Sequence, residues 1–541
     1  MKHRYLATSC LALATVMIVG CGDDTVSSAS ATDSGTDSST SETGDSTTTT
    51  TTGNSQSNSD SVTQGSESMT GDSTTTTTTT GVTTTTTTTT GETTTDSTTT
   101  GVDPTTSTTD DTTSTTGDLT TTGDLTTTGE MTTTGDTTGD TTTGGEVQPG
   151  SCRMSEYYGS AGARPAFTDP NYAAFLDKQV AVVTTGIQQT QQVLHIVDIS
   201  GPPPPPNANY AAPRYSPATW TDANLGKVFG VTLDSNGNIY VAASTVFGAT
   251  TMPNFIKKID GVTGEISTFA TVPNTGPALG NLNYDCISES IYASNHEDGR
   301  IYQFDLKGGL VSTFRHSDKN VTLGPANDPG EPNAQYFPLG DRVWAVQSHA
   351  GRLYYSVWVE HYNAVNANRN NEVWSVAYVD EGGVPDGATA KLEFSLPDGL
   401  VTPVSDISFT QPGRMVVARR SMIGDNSTTG HQSNSFTYEY QNGTWTSVGE
   451  VYKIGELANS NAGGVDHDFA ADGYVWFTGD ALDFYTPEVV YGIQGTPLAG
   501  GTIANSTLID MDSNLSAQAK TRQGDIEVPI PDDAPPVVPP K

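Results

Sequence analysis

A β-hairpin pattern that recurs along the second half of the chain constrains its fold more than any other feature. The pattern is clearest at residues 229–243, where two apolar, β-branched runs flank residues 234–238, Asp-Ser-Asn-Gly-Asn. Asn and Asp tolerate left-handed backbone angles, and Gly adopts them without steric cost. The segment therefore predicts two antiparallel strands joined by a tight turn.

The second strand of this hairpin returns with a long and nearly regular period. Its first residue recurs at steps of 52, 62, 62 and 60 residues, as Ile239, Ile291, Leu353, Met415 and Val475. Each unit also contains further strand-like runs, at residues 300–305 and 310–315 in the second unit. Four antiparallel strands repeated at this spacing are typical of a β-propeller, whereas a large β-sandwich does not account for a repeat in fixed register.

Five complete units run from residue 225 to residue 512, and residues 178–184 and 192–200 form a partial unit upstream. Propellers often complete one sheet with strands from both ends of the chain, and residues 523–530 can supply the missing strand. We therefore predict an all-β fold, a β-propeller over residues 151–528, with six blades favoured and seven as the next alternative. The Pro-rich tail, 529–541, is expected to be extended and unpaired.

Residues 229–242, Phe-Gly-Val-Thr-Leu-Asp-Ser-Asn-Gly-Asn-Ile-Tyr-Val-Ala, resemble the repeats of NHL-type and gluconolactonase or strictosidine-synthase-like propellers. The resemblance covers residues 229–272 and 279–315 best. It implies the propeller fold, and for the lactonases it implies hydrolysis that depends on Ca²⁺. Those lactonases usually begin with a strand of Glu-Gly-Pro type, and the first predicted strand of this chain has no match to it.

The N-terminus has the pattern of an export signal. Basic residues at positions 2 and 4 precede an apolar run that is too short to span a bilayer. This run ends in Ile18-Val19-Gly20-Cys21, which resembles the bacterial lipobox. The resemblance implies cleavage of residues 1–20 and attachment of a lipid to Cys21, and an ordinary signal peptide is the alternative. Gly22 after the cysteine favours the outer membrane or cell surface over the inner membrane.

Residues 21–150 are almost entirely Thr, Ser, Gly and Asp, and residues 22–150 contain no Lys, Arg or aromatic residue. Such a segment cannot bury enough apolar surface to fold, so we expect a disordered tether. The net charge of the chain is −37, and acidic residues outnumber basic ones in residues 151–541 as well. This acidic balance argues against nucleic acid as a partner and against electrostatic docking on anionic lipids. We therefore expect membrane contact through the attached lipid alone. We expect the propeller to be monomeric.

Two cysteines, Cys152 and Cys286, remain after the signal and the lipidation site are set aside. In an exported protein they can form a disulfide between the start of the domain and its third sheet. A buried, unbridged Cys286 is the alternative.

Counting seven residues back from each hairpin turn selects one residue per unit: Gly230, Leu282, Trp344, Asp406 and Asp466. Asp406 and Asp466 are thereby predicted to lie in corresponding places at the channel mouth, with Asn283 nearby. They can share a cation such as Ca²⁺, or raise each other's proton affinity for acid–base work, or be inert. His467 should point to the other side of its strand.

Long loops accumulate between second and third strands and between units, which in a propeller emerge on the same face. Function concentrates in loops that a rigid scaffold positions. Candidate residues on this face are Arg419, Arg420, His296, His361 and His431. No nucleophile motif or zinc-ligand spacing accompanies them. We favour a binding or scaffold module for an unknown small-molecule or protein ligand, and the alternative is a lactonase-like hydrolase with a divalent cation.

Overall fold

A computed structural model describes residues 161–186, 192–201, 210–324, 334–469, 473–483, 489–512 and 522–530. These residues lie in the second of the two units into which the chain divides, Thr132–Lys541. They form six main sheets, and the innermost strands of successive sheets contact each other in a closed cycle. The fold is an all-β propeller with six blades, as the repeat predicts.

The blades are numbered from the N-terminal end, and each is given by its strands from the inside outwards. Blade 1 begins with β1 (Val180–Thr185), β2 (Leu194–Asp198) and β3 (Arg214–Tyr215). Blade 2 contains β4 (Val228–Leu233), β5 (Ile239–Ala243), β6 (Phe255–Ile259) and β7 (Ile266–Thr271). Blade 3 contains β8 (Leu279–Asp285), β9 (Ser290–Asn295), β10 (Arg300–Asp305), β11 (Leu310–Arg315) and β12 (Val321–Leu323).

Blade 4 contains β13 (Arg342–His349), β14 (Arg352–Trp358), β15 (Glu372–Ala377) and β16 (Lys391–Ser395). Blade 5 contains β17 (Val404–Gln411), β18 (Arg414–Arg419), β21 (Ser435–Gln441) and β22 (Thr444–Gly449), and carries a small hairpin of β19 (Met422–Gly424) and β20 (Ser427–Thr428). Blade 6 contains β23 (Asn461–His467), β24 (Tyr474–Asp483), β25 (Val490–Pro497) and β26 (Thr507–Asp510). The helices are short: Asp222–Leu225, and the 3₁₀ turns Pro170–Phe175, Gly387–Thr389 and Ile503–Asn505.

The two ends of the described chain close the ring within blade 1. Strand β27 (Gln523–Glu527) is the innermost strand of this blade and pairs antiparallel with β1, so that Val183 faces Ile526. The prediction that residues 523–530 supply the missing strand is thereby confirmed. The folded part extends past the predicted boundary at residue 528, because Ile530 N donates to Gly162 O over 3.0 Å.

The hairpin that reveals the repeat is formed by β4 and β5. Asp234 organises its turn, because one carboxylate oxygen accepts the N–H groups of Asn236 and Asn238 over 2.8 and 3.0 Å. Gly237 has a φ of 73°, which is the left-handed conformation that the Asn-Gly pattern predicts. Tyr240 Oη donates to the other oxygen of Asp234 over 2.9 Å and ties the turn to the following strand.

Apolar side chains pack between neighbouring blades in six clusters, one at each interface. Four second strands contribute a large aromatic side chain to these clusters: Tyr240, Tyr292, Tyr354 and Trp476. All four are buried, which confirms that these rings serve packing between blades. Burial of one such side chain stabilises the fold by roughly 1.5–3 kcal/mol.

Hydroxyl groups on second strands join the inner strands of successive blades at four of the six interfaces. Each lies on a second strand, accepts an inner-strand N–H of its own blade and donates to an inner-strand carbonyl of the next blade. Ser356 Oγ, for example, accepts Ala345 N–H over 2.9 Å and donates to Val404 O over 2.7 Å. We call these residues the clasps; they are Thr184, Ser294, Ser356 and Thr478. Alanine stands at the same strand position in blades 2 and 5, as Ala242 and Ala418.

Several predictions from the sequence concern residues outside the described ranges. The signal (1–20), Cys21, the tether (21–150), Cys152 and residues 531–541 are among them. Cys286 is buried and disulfide-bonded, and its pairing with Cys152 stays a prediction. In the part of the chain that the structure describes, every helix is too short or too polar to cross a bilayer.

Candidate functional site

The innermost strands place one residue of each blade at the same level of the central channel. We call this set the upper ring: Gly230, Asn281, Ala345, Asp406, Gly464 and Asp525. Polar side chains come from blades 1, 3 and 5, and Gly or Ala comes from the blades between them. This alternation lets three side chains from alternate blades meet across the channel.

The glycines of the upper ring provide the space for these polar side chains. A Cβ atom on Gly230 would lie 2.8 Å from Asn281 Cα, and one on Gly464 would lie 2.8 Å from Asp525 Cα. Non-bonded carbon atoms pack at about 3.5–4.0 Å, so neither position accommodates a larger residue without a shift of the backbone.

Asp406 is held by hydrogen bonds to both of its carboxyl oxygens. Oδ1 accepts Nδ2 of Asn281 over 3.0 Å and the N–H of Ile407 over 2.8 Å. Oδ2 accepts the N–H of Val465, on the next blade, over 2.8 Å. The side chain therefore links blades 3, 5 and 6.

Asp525 repeats this arrangement from blade 1 and is hydrogen-bonded to Asp406. Its oxygens accept the N–H groups of Val231 and Ile526 over 3.2 and 3.0 Å. Burial, followed by the charge and hydrogen bond of Asp525, raises the pKa of Asp406 well above its usual range. Burial likewise raises the pKa of Asp525 to about 8. Because two buried carboxylates in contact repel each other, the pair retains at least one proton at neutral pH.

A second set of polar residues lies two positions further along the same strands. We call it the lower ring: Thr232, Asn283, Gln347, Ser408, Asp466 and Glu527. Asp466 accepts Ser408 Oγ over 3.1 Å and the N–H of Val528 over 2.7 Å. Glu527 is partly accessible from the channel, and enclosure by the surrounding strands, together with the charge of Asp466, raises its pKa well above the usual range. The cavity between the rings measures about 10 Å³, which is close to the space of one water molecule.

The predicted group of Asp406, Asp466 and Asn283 is spread over both rings. Asn283 donates to Gln347 Oε1 over 2.9 Å and accepts the N–H of Ser348 over 2.8 Å. The expectation that Asp406 and Asp466 occupy corresponding places is wrong, because the connection between the first two strands differs in length. Ile407 pairs with Val417, ten positions on, whereas Val465 pairs with Phe477, twelve positions on. Among the described residues, no group of three or more His, Cys, Asp or Glu side chains is arranged to hold a metal ion, and Ca²⁺ stays a prediction.

His467 lies beside Asp466, contrary to the expectation from strand alternation. Its Nδ1 is 3.5 Å from Asp466 Oδ1 and 3.4 Å from Ser408 Oγ. Asp466 is partly exposed whereas His467 is buried, and both line the small cavity of the channel.

The β19–β20 hairpin closes the channel at the end opposite the tight first turns, which we call the loop face. Met422 of this hairpin is buried with Trp344 and Trp358 of blade 4 and Phe229 of blade 2. Beside it, Asp425 accepts the guanidinium of Arg342 over 2.8 Å. One segment of blade 5 therefore reaches across the axis and is fastened to two other blades.

Arg420 lies beneath this hairpin and also links several blades. Its guanidinium donates to the carbonyls of Ala462 and Gln523, the second over 2.6 Å, and lies 4.8 Å from the ring centre of Phe247. Burial lowers the pKa of Arg420 to about 10. Arg420 therefore joins blades 6 and 1 by hydrogen bonds to their backbone carbonyls.

The other predicted binding residues are mostly buried at the loop face. His296 is buried against Trp344 and Trp358, and burial lowers its pKa to about 3. Arg419 is buried, with its guanidinium 5.5 Å from the ring of Phe436. The remaining two residues, His361 and His431, contact Asp425 at 3.8 Å and Ser460 at 3.2 Å, respectively. The structure brings these residues to one end of the propeller, mostly beneath its surface.

Loop length is greatest on the loop face in blades 2, 4 and 5, at residues 244–254, 359–371 and 420–434. In blade 3, only residues 296–299 join the second and third strands. Blade 4 also has a long connection on the opposite face, at residues 378–390. The elaboration of the loop face therefore comes from three blades.

A cleft of about 320 Å³ opens between these loops above the closed channel. Lys227 and Arg522, which stand just before the inner strands of blades 2 and 1, line it from below. Phe247 lines one side, and the β19–β20 hairpin supplies Asn426, Ser427 and Thr428 on the other. The described lining residues include no carboxylate. The cleft is therefore a basic and hydroxyl-rich site on an acidic domain.

Sequence reasoning missed the residues that fill the channel and line the cleft. Asn281 lies one position before Leu282, which the regular spacing selects, because the connection between the first two strands is one residue longer in blade 3 than in blade 2. Leu282 pairs with Ala293, eleven positions on, and Val231 pairs with Val241, ten positions on. Asp525 and Glu527 lie in the segment predicted to close the ring. Their alternation along that strand, with both side chains directed to one side, was the available signal.

No model of a known protein family matches the chain, and no curated protein is similar to it. Solved structures that resemble the fold include one of a nidogen/laminin complex, with 11% identity, a TM-score of 0.37, and coverage of 65% of this chain and 98% of that one.

Two bacterial structures are similar to the same extent. A candidate 6-phosphogluconolactonase from Bacteroides uniformis has 12% identity and a TM-score of 0.34, with coverage of 65% of this chain and 99% of that one. A protein of unknown function from Desulfotomaculum acetoxidans has 10% identity and a TM-score of 0.34, with coverage of 65% and 100%. Similarity at this level carries no argument about function.

Proposed function

We propose that this protein is a lipid-anchored propeller of the cell envelope that binds a ligand or partner on its loop face. The cleft above the closed channel is the observation that carries this proposal. It combines loops from several blades with a rigid base of inner strands, which is a common design for recognition sites. Its volume of about 320 Å³ suits a small molecule or a protruding side chain of a partner.

The place where the described chain enters the propeller supports a cleft that faces away from the membrane. Ala163 N donates to Asp234 O, in the first turn of blade 2, over 2.9 Å. Ala166 N donates to Gly261 O, at the outer turn of the same blade, over 2.8 Å. Residues 163–166, near the start of the described chain, therefore lie on the face opposite the cleft, which is compatible with a lipid on Cys21 that leaves the cleft free.

A lactonase-like hydrolase is the second candidate, and the proton-sharing pair Asp406–Asp525 is the observation that favours it. Paired carboxyl groups with separated proton affinities are a common arrangement for acid–base catalysis. Both groups, however, are engaged by inner-strand N–H groups and lie in a channel with about 10 Å³ of space. This enclosure favours a structural role, so binding on the loop face remains our main proposal.

Membrane fractionation of a Cys21→Ala variant tests the anchor. The wild-type protein is expected in the membrane fraction and the variant in the soluble fraction, because a lipid at Cys21 would supply the membrane attachment. Cys10→Ala removes a cysteine upstream of the cleavage site and should fractionate like the wild type. A Cys21→Ala protein that stays with the membrane would contradict the lipobox proposal.

A further inference from the structure

Two basic side chains in the loop-face cleft are free of ion pairs within the described part of the chain. Lys227 Nζ contacts Phe247 O at 3.4 Å, and Arg522 lines the same cleft with no ion pair to a carboxylate among the described residues. Basic residues are a minority in this domain and have many acidic residues available for pairing. Two cations that line one cleft without such a partner leave a positive potential there.

A third cation lies behind one wall of the cleft. Arg420 is buried with its guanidinium 4.8 Å from the ring centre of Phe247, on which it stacks. Its charge is offset by the charge of Asp480, which opposes the lowering of the pKa of Arg420 by burial. An anion in the cleft would therefore be attracted mainly by Lys227 and Arg522, and would meet no carboxylate among the described lining residues.

The hairpin that covers the cleft supplies neutral polar groups. Asn426, Ser427 and Thr428 present an amide and two hydroxyl groups, which can donate to or accept from a ligand. Asn426 and Ser427 are exposed, whereas Asp425 beside them is held by Arg342 over 2.8 Å. The ion pair thus keeps Asp425 engaged and fixes the hairpin beside the two cations.

We propose that this cleft binds a small hydroxylated dicarboxylate, with one carboxylate on Arg522, the other on Lys227, and the hydroxyl group on the β19–β20 hairpin. The inference rests on the proposed function and names the ligand class of the same face. Arg522 can take a carboxylate in a bidentate manner, and Lys227 acts as a point charge. Two charges on the ligand match the two lining cations, and the cavity of about 320 Å³ holds a molecule of this size.

Titration calorimetry at low salt with four ligands tests this assignment. Malate carries two carboxylates and a hydroxyl group, succinate lacks the hydroxyl, lactate lacks one carboxylate, and sulfate is a compact dianion. Malate should bind about tenfold more tightly than lactate, because one charge-assisted contact is lost. Malate should also bind more tightly than succinate and sulfate. Absence of malate binding, or equal binding of malate, lactate and sulfate, would overturn the assignment.

Variants at the two cations locate the site. Arg522→Gln and Lys227→Gln should each weaken malate binding about tenfold. Lys257→Gln removes the same charge from an exposed strand of blade 2, where Lys257 contacts Thr268 over 2.9 Å, and should leave binding unchanged. Equal weakening by all three variants would show a general charge effect and overturn the site. Membrane fractionation of Cys21→Ala is unaffected by this result, so the anchor and the ligand class fail separately.

Discussion

Two carboxyl groups meet on the axis of the propeller, and their environment accounts for their protonation. Asp406 and Asp525 are buried, contact each other and accept N–H groups from the next blades. Charging both would place two negative charges together in a region of low polarity. The folded protein therefore retains a proton on this pair of carboxyl groups.

This proton predicts a pH dependence of stability. The pKa of Asp525 is about 8 in the folded protein against an ordinary value of 3.8, so the folded state retains a proton that the unfolded chain releases. The free energy of unfolding should then fall as the pH rises from about 4 to about 8. Glu527 acts in the same direction. Buried histidines with a pKa of about 3, such as His195, destabilise the fold only below about pH 6.5.

The Asp525→Asn variant isolates the contribution of the pair. Asparagine keeps the shape of the side chain without a titrating group, so the melting temperature should fall less between pH 6.5 and pH 8, by a few degrees, than in the wild type. Asp398→Asn makes the same change at an exposed site and should keep the wild-type dependence. Circular dichroism at the two pH values gives the comparison. An unchanged fall in Asp525→Asn would refute the shared proton.

Between neighbouring blades, the clasps predict a measurable contribution from single hydroxyl groups. Ser356→Ala leaves the N–H of Ala345 and the carbonyl of Val404 without this buried partner. Its free energy of unfolding in urea should fall by about 2 kcal/mol. Ser447→Ala, on the exposed outer strand of blade 5, should change it by less than about 0.5 kcal/mol. Equal effects of the two variants would contradict the role of the clasps.

The strands can be predicted from the sequence, whereas the residues that fill the channel cannot. The inner strands explain the difference. Strands β10 and β11 lie where the repeat predicts them, at Arg300–Asp305 and Leu310–Arg315, because apolar periodicity and turn residues set their ends. A connection between the first two strands that is one or two residues longer leaves the apolar pattern of the strands unchanged and is not recognised in the sequence. Counting back from the turns therefore selects Leu282 in place of Asn281, and Asp466 in place of Gly464.

The cleft was beyond sequence reasoning for a different reason. Lys227 and Arg522 are 295 positions apart in the chain and come together only because β27 closes the ring next to β4. Asn426–Thr428 joins them because the β19–β20 hairpin folds across the axis. No local pattern reports such contacts between distant segments.

For the whole molecule, ring closure predicts that a short C-terminal strand is essential. Removal of residues 522–541 deletes the buried Ile526, Val528 and Ile530, each contributing roughly 1.5–3 kcal/mol, and leaves β1 unpaired. The melting temperature should fall by about 10 °C or more, or the protein should fail to fold. Removal of residues 531–541 alone should have little effect. Similar melting temperatures for both truncated proteins would contradict closure by β27.

The most direct test of our account is the response of the propeller to Ca²⁺, because binding on the loop face and hydrolysis in the channel make opposite predictions. Asp406 and Asp466 are engaged by N–H and hydroxyl groups in separate rings. We expect Ca²⁺ to change the melting temperature of the wild type and of an Asp406→Asn/Asp466→Asn variant by the same small amount. A ligand that binds only the folded state raises this temperature. A rise in the wild type that the double variant loses would contradict the account and favour the metal-dependent hydrolase.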